Sequence, residues 1–252
     1  MKCYPSRMQP DNETLQYMNA IQPKTDVLES WLSKTRSAIE ERFGGIDGVS
    51  CIIFNANPCT LGHRYILEIA SKRSRGVVVF VIEGKTDSGS LGNHETSNIE
   101  IPFKDRLEQT QMCAHGIPNV LVLPGGPYII GRDDFPSQWS TVERSRAHSY
   151  AILNSKLLCQ VILPGLGITN MFAGDEPRDE MSEMHLNALR QQCRDRGIGL
   201  KVAERKRLGD RYISSAMVRG AAANGDWDTV RATVQPFVYE YLSGSYRGGL
   251  RS

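Results

Sequence analysis

Val49-Ser50-Cys51-Ile52-Ile53-Phe54-Asn55-Ala56-Asn57-Pro58-Cys59-Thr60-Leu61-Gly62-His63-Arg64-Tyr65 is the stretch on which the fold turns. Its first six residues are apolar and rich in β-branched side chains, as expected of a short buried strand. Leu61, Tyr65, Ile66, Ile69 and Ala70 then recur at helical spacing, which predicts a helix with one apolar face. Between strand and helix lie a turn proline, a hydroxyl, a glycine and a histidine. Helix N-termini present free backbone N–H groups and the positive end of the dipole, so they suit anions, above all phosphates. Gly62 has no side chain and would let a ligand approach the backbone closely. The expectation is a phosphate site with a working imidazole, His63.

Strand and helix patterns alternate onward from there. Val77 to Ile82 is a continuous apolar run of the kind buried parallel strands show. Residues 83 to 101 are rich in Gly, Ser, Asn and Thr, and have the length of a lid loop. A helix through Phe103, Leu107 and Met112 stops at Gly116, and Asn119 to Leu123 is a third strand. Pro124-Gly125-Gly126-Pro127 turns the chain into Tyr128-Ile129-Ile130, and helical patterning through Tyr150, Leu153 and Leu157 runs towards Pro164. Ile168 to Ala173 is a fourth strand, broken at Gly174-Asp175-Glu176-Pro177. A helix closed by Gly197, a strand from Gly199 to Ala203, and helices from Ser214, Asp226 and Pro236 complete the pattern. Residues 48–243 are therefore predicted as an α/β, Rossmann-like open parallel sheet with helices on both faces. In such sheets ligands sit at the carboxyl ends of strands, where Asn55 to His63 falls. Residues 1–47 are polar and carry one amphipathic helix (Val27, Trp31, Leu32, Ile39, Phe43), a helical lead-in expected to pack on the domain's flank. The Gly/Ser/Arg-rich tail, 244–252, is expected to be flexible.

The 252 residues suffice for one large domain, and 40% hydrophobic with 23% charged residues is ordinary for a globular protein. A net charge of +2 gives no reason to expect nucleic acid or an acidic membrane as partner. No apolar stretch approaches the roughly 20 residues that span a bilayer, and Met1 to Pro10 has no secretory h-region. The 6 cysteines are scattered without a CxxC pair or a His–Cys cluster. Reduced thiols in a cytoplasmic protein are expected rather than a disulfide framework or zinc site.

Asn57-Pro58-Cys59-Thr60-Leu61-Gly62-His63 resembles the T/H-x-G-H signature of the HIGH-type nucleotidyltransferase superfamily. Phe172-Ala173-Gly174-Asp175-Glu176-Pro177 is similar to that superfamily's strand-end Gly-x-Asp region. Ile213-Ser214-Ser215-Ala216-Met217-Val218-Arg219 is similar to its closing I-S-S/T-x-x-x-R motif. Together with Tyr128-Ile129-Ile130 and Phe135-Pro136-Ser137, the stretch Asn55 to Tyr65 resembles one branch, citrate lyase ligase. That branch carries an acetyltransferase-like domain ahead of this one, which 47 residues are too few to supply. Cys59 stands where the branch has an aromatic residue, and Gly131, Asp133 and Asp134 replace a Ser/Thr-containing stretch.

The resemblance implies attack of an acceptor oxygen on the α-phosphorus of a nucleoside triphosphate, with release of pyrophosphate. Such a displacement asks the protein mainly for positioning and electrostatic stabilisation. Thr60, His63 and Arg219 would be the catalytic residues. Asn55, Ala56, Asn57, Thr60, Gly62, His63, Gly174, Asp175, Ile213, Ser214, Ser215 and Arg219 would line the nucleotide, ATP or CTP. Mg²⁺ would bridge the phosphates without a dedicated protein site. The expected reaction is ATP-dependent adenylation of a small, acetate-like carboxylate, with the acyl group passing to a thiol or amine, on an acyl-acceptor protein for instance. A carboxylate is already ionised at pH 7 and needs no general base. The same holds for a phosphate or phosphonate, so nucleotidyl transfer to such a metabolite is the alternative. A nucleotide sensor without turnover is a third reading, disfavoured by the joint presence of Thr60, His63 and Arg219. Lys85, Lys104, Arg106 and Arg132 are acceptor-side candidates or ordinary surface charges.

Overall fold

Five apolar segments pair in parallel in the computed structural model, which describes residues 10–12, 14–16, 25–84, 101–129, 141–175 and 180–249. They are β1 (Val49–Phe54), β2 (Gly76–Val81), β3 (Val120–Pro124), β4 (Asn170–Gly174) and β5 (Gly199–Ala203), in the order β3-β2-β1-β4-β5. The register sets Val49 beside Gly76 and Phe54 beside Val81, while Cys51 pairs with Met171 on the other side of β1. This is the doubly wound α/β arrangement that the alternating pattern predicts.

Both faces of the sheet are covered, because successive side chains point to opposite faces. Val49, Cys51, Val78, Phe80 and Met171 enter one core; Ile52, Phe54, Val77, Val79 and Phe172 enter the other. The first core is closed by α1 (Thr25–Phe43), α4 (Thr141–Leu157) with the π-helical turn Leu158–Ile162 that continues it, and α5 (Glu180–Asp195). On the second lie α2 (Leu61–Ser71), α3 (Phe103–Ala114), α6 (Ser215–Ala223), α7 (Trp227–Thr233) and α8 (Pro236–Gly249). Leu28, Leu32 and Ile39 of α1 are core residues, and Trp31 packs over Gly126 and 6.0 Å from the Phe80 ring. Ahead of α1, Asp11 pairs with Lys156 at 3.1 Å, and the buried Thr14 donates to Gln160 in the π turn.

Three details differ from the sequence reading. A short hairpin, β6 (Arg207–Leu208) and β7 (Arg211–Tyr212), turns at Gly209, whose φ of 57° belongs to the left-handed region that glycine adopts without strain. Met112, placed on the apolar face of its helix by spacing, is 44% exposed; Cys113 and Ala114 are the buried residues beside it. The flexible tail expected from residue 244 overlaps α8, which runs to Gly249. Buried Val238 and Leu242 anchor that helix, and no proline follows to stop its hydrogen-bond ladder. The lid-like stretch 85–100 and the motif residues 130–137 lie outside the described residues. No described helix is long and apolar enough to cross a membrane.

Candidate active site

The strand order reverses between β1 and β4, and the crevice beyond their carboxyl ends is where such sheets take ligands. β1 delivers Asn55 to Thr60 there, and β4 delivers Gly174 and Asp175.

Thr60 is the N-cap of α2, and its hydroxyl accepts the Gly62 N–H at 3.2 Å. His63, three residues on, closes a capping box in place of the usual Glu or Gln. Its Nδ1 accepts the Thr60 N–H at 3.0 Å and lies 2.9 Å from the Thr60 hydroxyl. An Nδ1 that accepts carries no proton, so the neutral ring carries its proton on Nε2. The imidazole is half-buried and meets the Phe54 ring edge-on at 4.6 Å. Burial and the nearby Arg205 charge hold its pKa down to about 4, so the ring is neutral at pH 7 and its one N–H is on Nε2.

The distal motif is fastened directly to this turn. Ser215 donates to the Pro58 carbonyl at 2.9 Å, and Arg219 donates to the Asn57 carbonyl. Ser214 caps α6 by accepting the Met217 N–H at 3.0 Å. A Cβ on Gly62 would stand 3.3 Å from the Thr60 hydroxyl and 3.5 Å from the Ile213 carbonyl. The missing side chain thus serves close approach of α2 to the Ile213–Ser214 turn, where the sequence suggests room for a ligand.

Asn55, Ala56 and Asn57 form the floor. Ala56 is buried with φ 53°, a left-handed conformation that costs a non-glycine residue roughly 1–2 kcal/mol. Its neighbours over-determine that conformation. Asn57 Oδ1 accepts the Ile101 N–H at 3.2 Å, while the Asn55 carbonyl and side-chain oxygens accept from Arg106 at 2.7 and 2.9 Å. Arg106 also donates to the carbonyls of Ile82 (2.9 Å), Glu83 (3.0 Å) and Ile101 (3.0 Å). It is 6% exposed, which corrects its reading as an acceptor-side or surface charge: it ties the ends of β1 and β2 to the start of α3. Of the other acceptor-side candidates, Lys104 is exposed, and Lys85 and Arg132 lie outside the described residues.

Gly174 and Asp175 reach the crevice from β4. A Cβ on Gly174 would lie 3.0 Å from Ile66, so that glycine admits α2. The Asp175 N–H donates to the Ala203 carbonyl at 3.0 Å, and its carboxylate accepts the Arg205 N–H at 2.7 Å. The carboxylate therefore braces the loop after β5. The structure joins Asn55 to His63 with Ile213 to Arg219 by direct contacts, and joins Gly174 and Asp175 to them through α2 and Arg205. Arg205 itself escaped the sequence reading; the run Arg205-Lys206-Arg207 between a strand and the Ile-Ser-Ser motif was the available signal. Cys59 is buried beneath the turn, with its hydrogen-bond partner Cys113 and burial raising its thiol well above the ordinary range. Among the described residues no three His, Cys, Asp or Glu gather as a metal site.

Residues 49–242 match the family model of the citrate lyase ligase C-terminal domain. Citrate (pro-3S)-lyase ligase of Escherichia coli is 29% identical over 199 residues, covering 77% of this chain and 53% of that protein. The ligase of the same name from Haemophilus influenzae is 27% identical over 204 residues, covering 78% of this chain and 57% of that protein. This chain thus spans about half the length of the curated relatives it matches. Among solved structures, Thermotoga maritima TmcAL bound with alpha-thio ATP is similar with a TM-score of 0.49 and 14% identity, over 80% of this chain and 56% of that one.

Proposed function

The chain belongs to the citrate lyase ligase C-terminal domain family, and from that premise we propose that it is an ATP-dependent adenylyl-transfer enzyme acting on a small carboxylate. A carboxylate oxygen attacks the α-phosphorus, the α–β bridging P–O bond breaks, and its electron pair leaves with pyrophosphate. The product is an acyl adenylate. A thiol or amine then attacks the acyl carbon, loses its proton to solvent and expels AMP.

The observation that carries this reading is the neutral His63 at the head of α2, with Nδ1 occupied and Nε2–H left to donate. In that state it hydrogen-bonds the α-phosphate or the departing bridge oxygen as charge develops there. The positive end of the α2 dipole adds to this, and Thr60 keeps the ring in its tautomer. Arg219, Ser214 and Ser215 stand at the crevice wall, where a guanidinium and a second helix start suit the β- and γ-oxygens. None of these donors is a metal ligand, so magnesium would be held by the phosphate oxygens and water, and would neutralise charge on the triphosphate.

Pyrophosphate release measured over ATP, CTP, GTP and UTP, against a panel of carboxylates and phosphorylated metabolites, tests the proposal. Carboxylate-dependent AMP and pyrophosphate from ATP is the expected result. A stable nucleotide adduct of a phosphate- or phosphonate-bearing acceptor would replace it with nucleotidyl transfer proper. Nucleotide binding with no pyrophosphate from any acceptor would leave a sensor.

A further inference from the structure

Arg205 belongs to none of the motifs, yet the loop that carries it is fastened on three sides of the crevice. On the β4 side, Asp175 accepts the Arg205 N–H at 2.7 Å. On the side of the distal motif, the Lys206 carbonyl accepts the Ile213 N–H at 2.9 Å, one residue ahead of Ser214. Against α2, the Lys206 ammonium lies 5.9 Å from the centre of the Tyr65 ring, two residues after His63. A loop held at both ends and along one flank gives a side chain a fixed origin, which a long, flexible arginine needs if it is to meet a ligand at low entropic cost.

Resting on the nucleotide reading above, we propose that Arg205 contacts the β- or γ-phosphate of the bound triphosphate from the β4–β5 side of the crevice. Arg205 is half-buried, and its loop is bonded to Ile213 and packed on Tyr65 beside the turn that carries His63, so that its charge acts on the imidazole. The planar fork of donors matches phosphate oxygens in pairs, and the leaving pyrophosphate gains charge as the bridging bond breaks. The contact also has a second effect. A cation beside His63 disfavours protonation of the ring and so preserves Nε2–H as a neutral donor. Asp175 then acts as a positioning residue, working through the backbone of Arg205.

The test compares wild type with Arg205→Met, Arg205→Lys and Arg205→Gln, each with its melting temperature measured. ATP and AMP affinities are determined by calorimetry, and the His63 ring is titrated by NMR. The loss of a charged contact to the outer phosphates predicts about tenfold or weaker ATP binding by Arg205→Met, with AMP affected less than about twofold. Arg205→Lys recovers part of the ATP affinity, and the His63 pKa rises in the Met and Gln variants. Folded variants that bind ATP within about twofold of wild type overturn the proposal, as does an equal loss for ATP and AMP. Should Arg205→Met fail to fold, the Gln and Lys variants carry the same comparison. Wild type that binds no nucleotide overturns the proposed function itself, a result distinct from wild-type ATP binding that Arg205 does not influence.

Discussion

Locking Nδ1 of His63 as an acceptor leaves the ring a single proton, on Nε2, and the low pKa keeps it there. His63→Ala is expected to lower turnover about 100-fold or more while nucleotide binding survives, the usual scale for removing one transition-state donor. Near-normal turnover in that variant would sink the mechanism. The pH dependence has a definite sign. An unfolded histidine titrates near 6.5 and the folded one near 4, so between these values the unfolded chain binds more protons. His63's contribution to stability is complete above about 6.5 and declines as pH falls towards 4, by roughly 3 kcal/mol at most. NMR titration of the ring should place its midpoint well below 6 in the folded protein. Thr60, Gly62 and His63 were legible as a group because their interactions lie within one helical turn. Arg106 and Arg205 were not, because what decides their roles comes from other segments: the carbonyls around Arg106, and the Asp175 carboxylate behind Arg205.

Arg106 acts between elements, holding the ends of β1 and β2 and the start of α3 by one side chain. Arg106→Met would leave the buried carbonyls of Ile82 and Ile101 and the part-buried ones of Asn55 and Glu83 without this donor. A loss of roughly 3 kcal/mol or more in denaturant unfolding is expected. Arg106→Lys should rescue little, since an ammonium cannot span the same acceptors. At this scale the strands were the most legible part: short, largely apolar segments between turn residues announced all five, and β1 and β5 begin and end where the sequence places them. The β6–β7 hairpin was hidden because two-residue strands have no periodicity to display. Met112 went astray for a related reason. Helical spacing alone does not say which of two neighbouring stripes faces the sheet, and small Cys113 and Ala114 permit the closer packing.

Among the described residues a five-stranded parallel sheet lies between two cores, and α1 belongs to the first of them. Ile39 is fully buried there, so Ile39→Ala should cost about 2–5 kcal/mol in denaturant unfolding although it belongs to no nucleotide motif. A cost below about 1 kcal/mol would make α1 a loosely attached flank. The layer arrangement followed from alternation of strand and helix, but the depth to which α1 enters the core did not. A largely polar helix reads as peripheral until its few apolar residues are seen against Phe80 and Tyr128. The bonds from Ser215 to Pro58 and from Arg219 to Asn57 join positions 157 and 162 residues apart. A ribosome makes the first half of that junction more than a hundred residues before the second, as the separations of 157 and 162 positions require. Throughout the interval the nascent protein holds His63, the proposed donor, without Ser215 and Arg219 to brace its turn. On the proposed function, a chain cut short before α6 would carry an unfinished crevice, and a pyrophosphate-release assay on that truncated protein is expected to show no turnover.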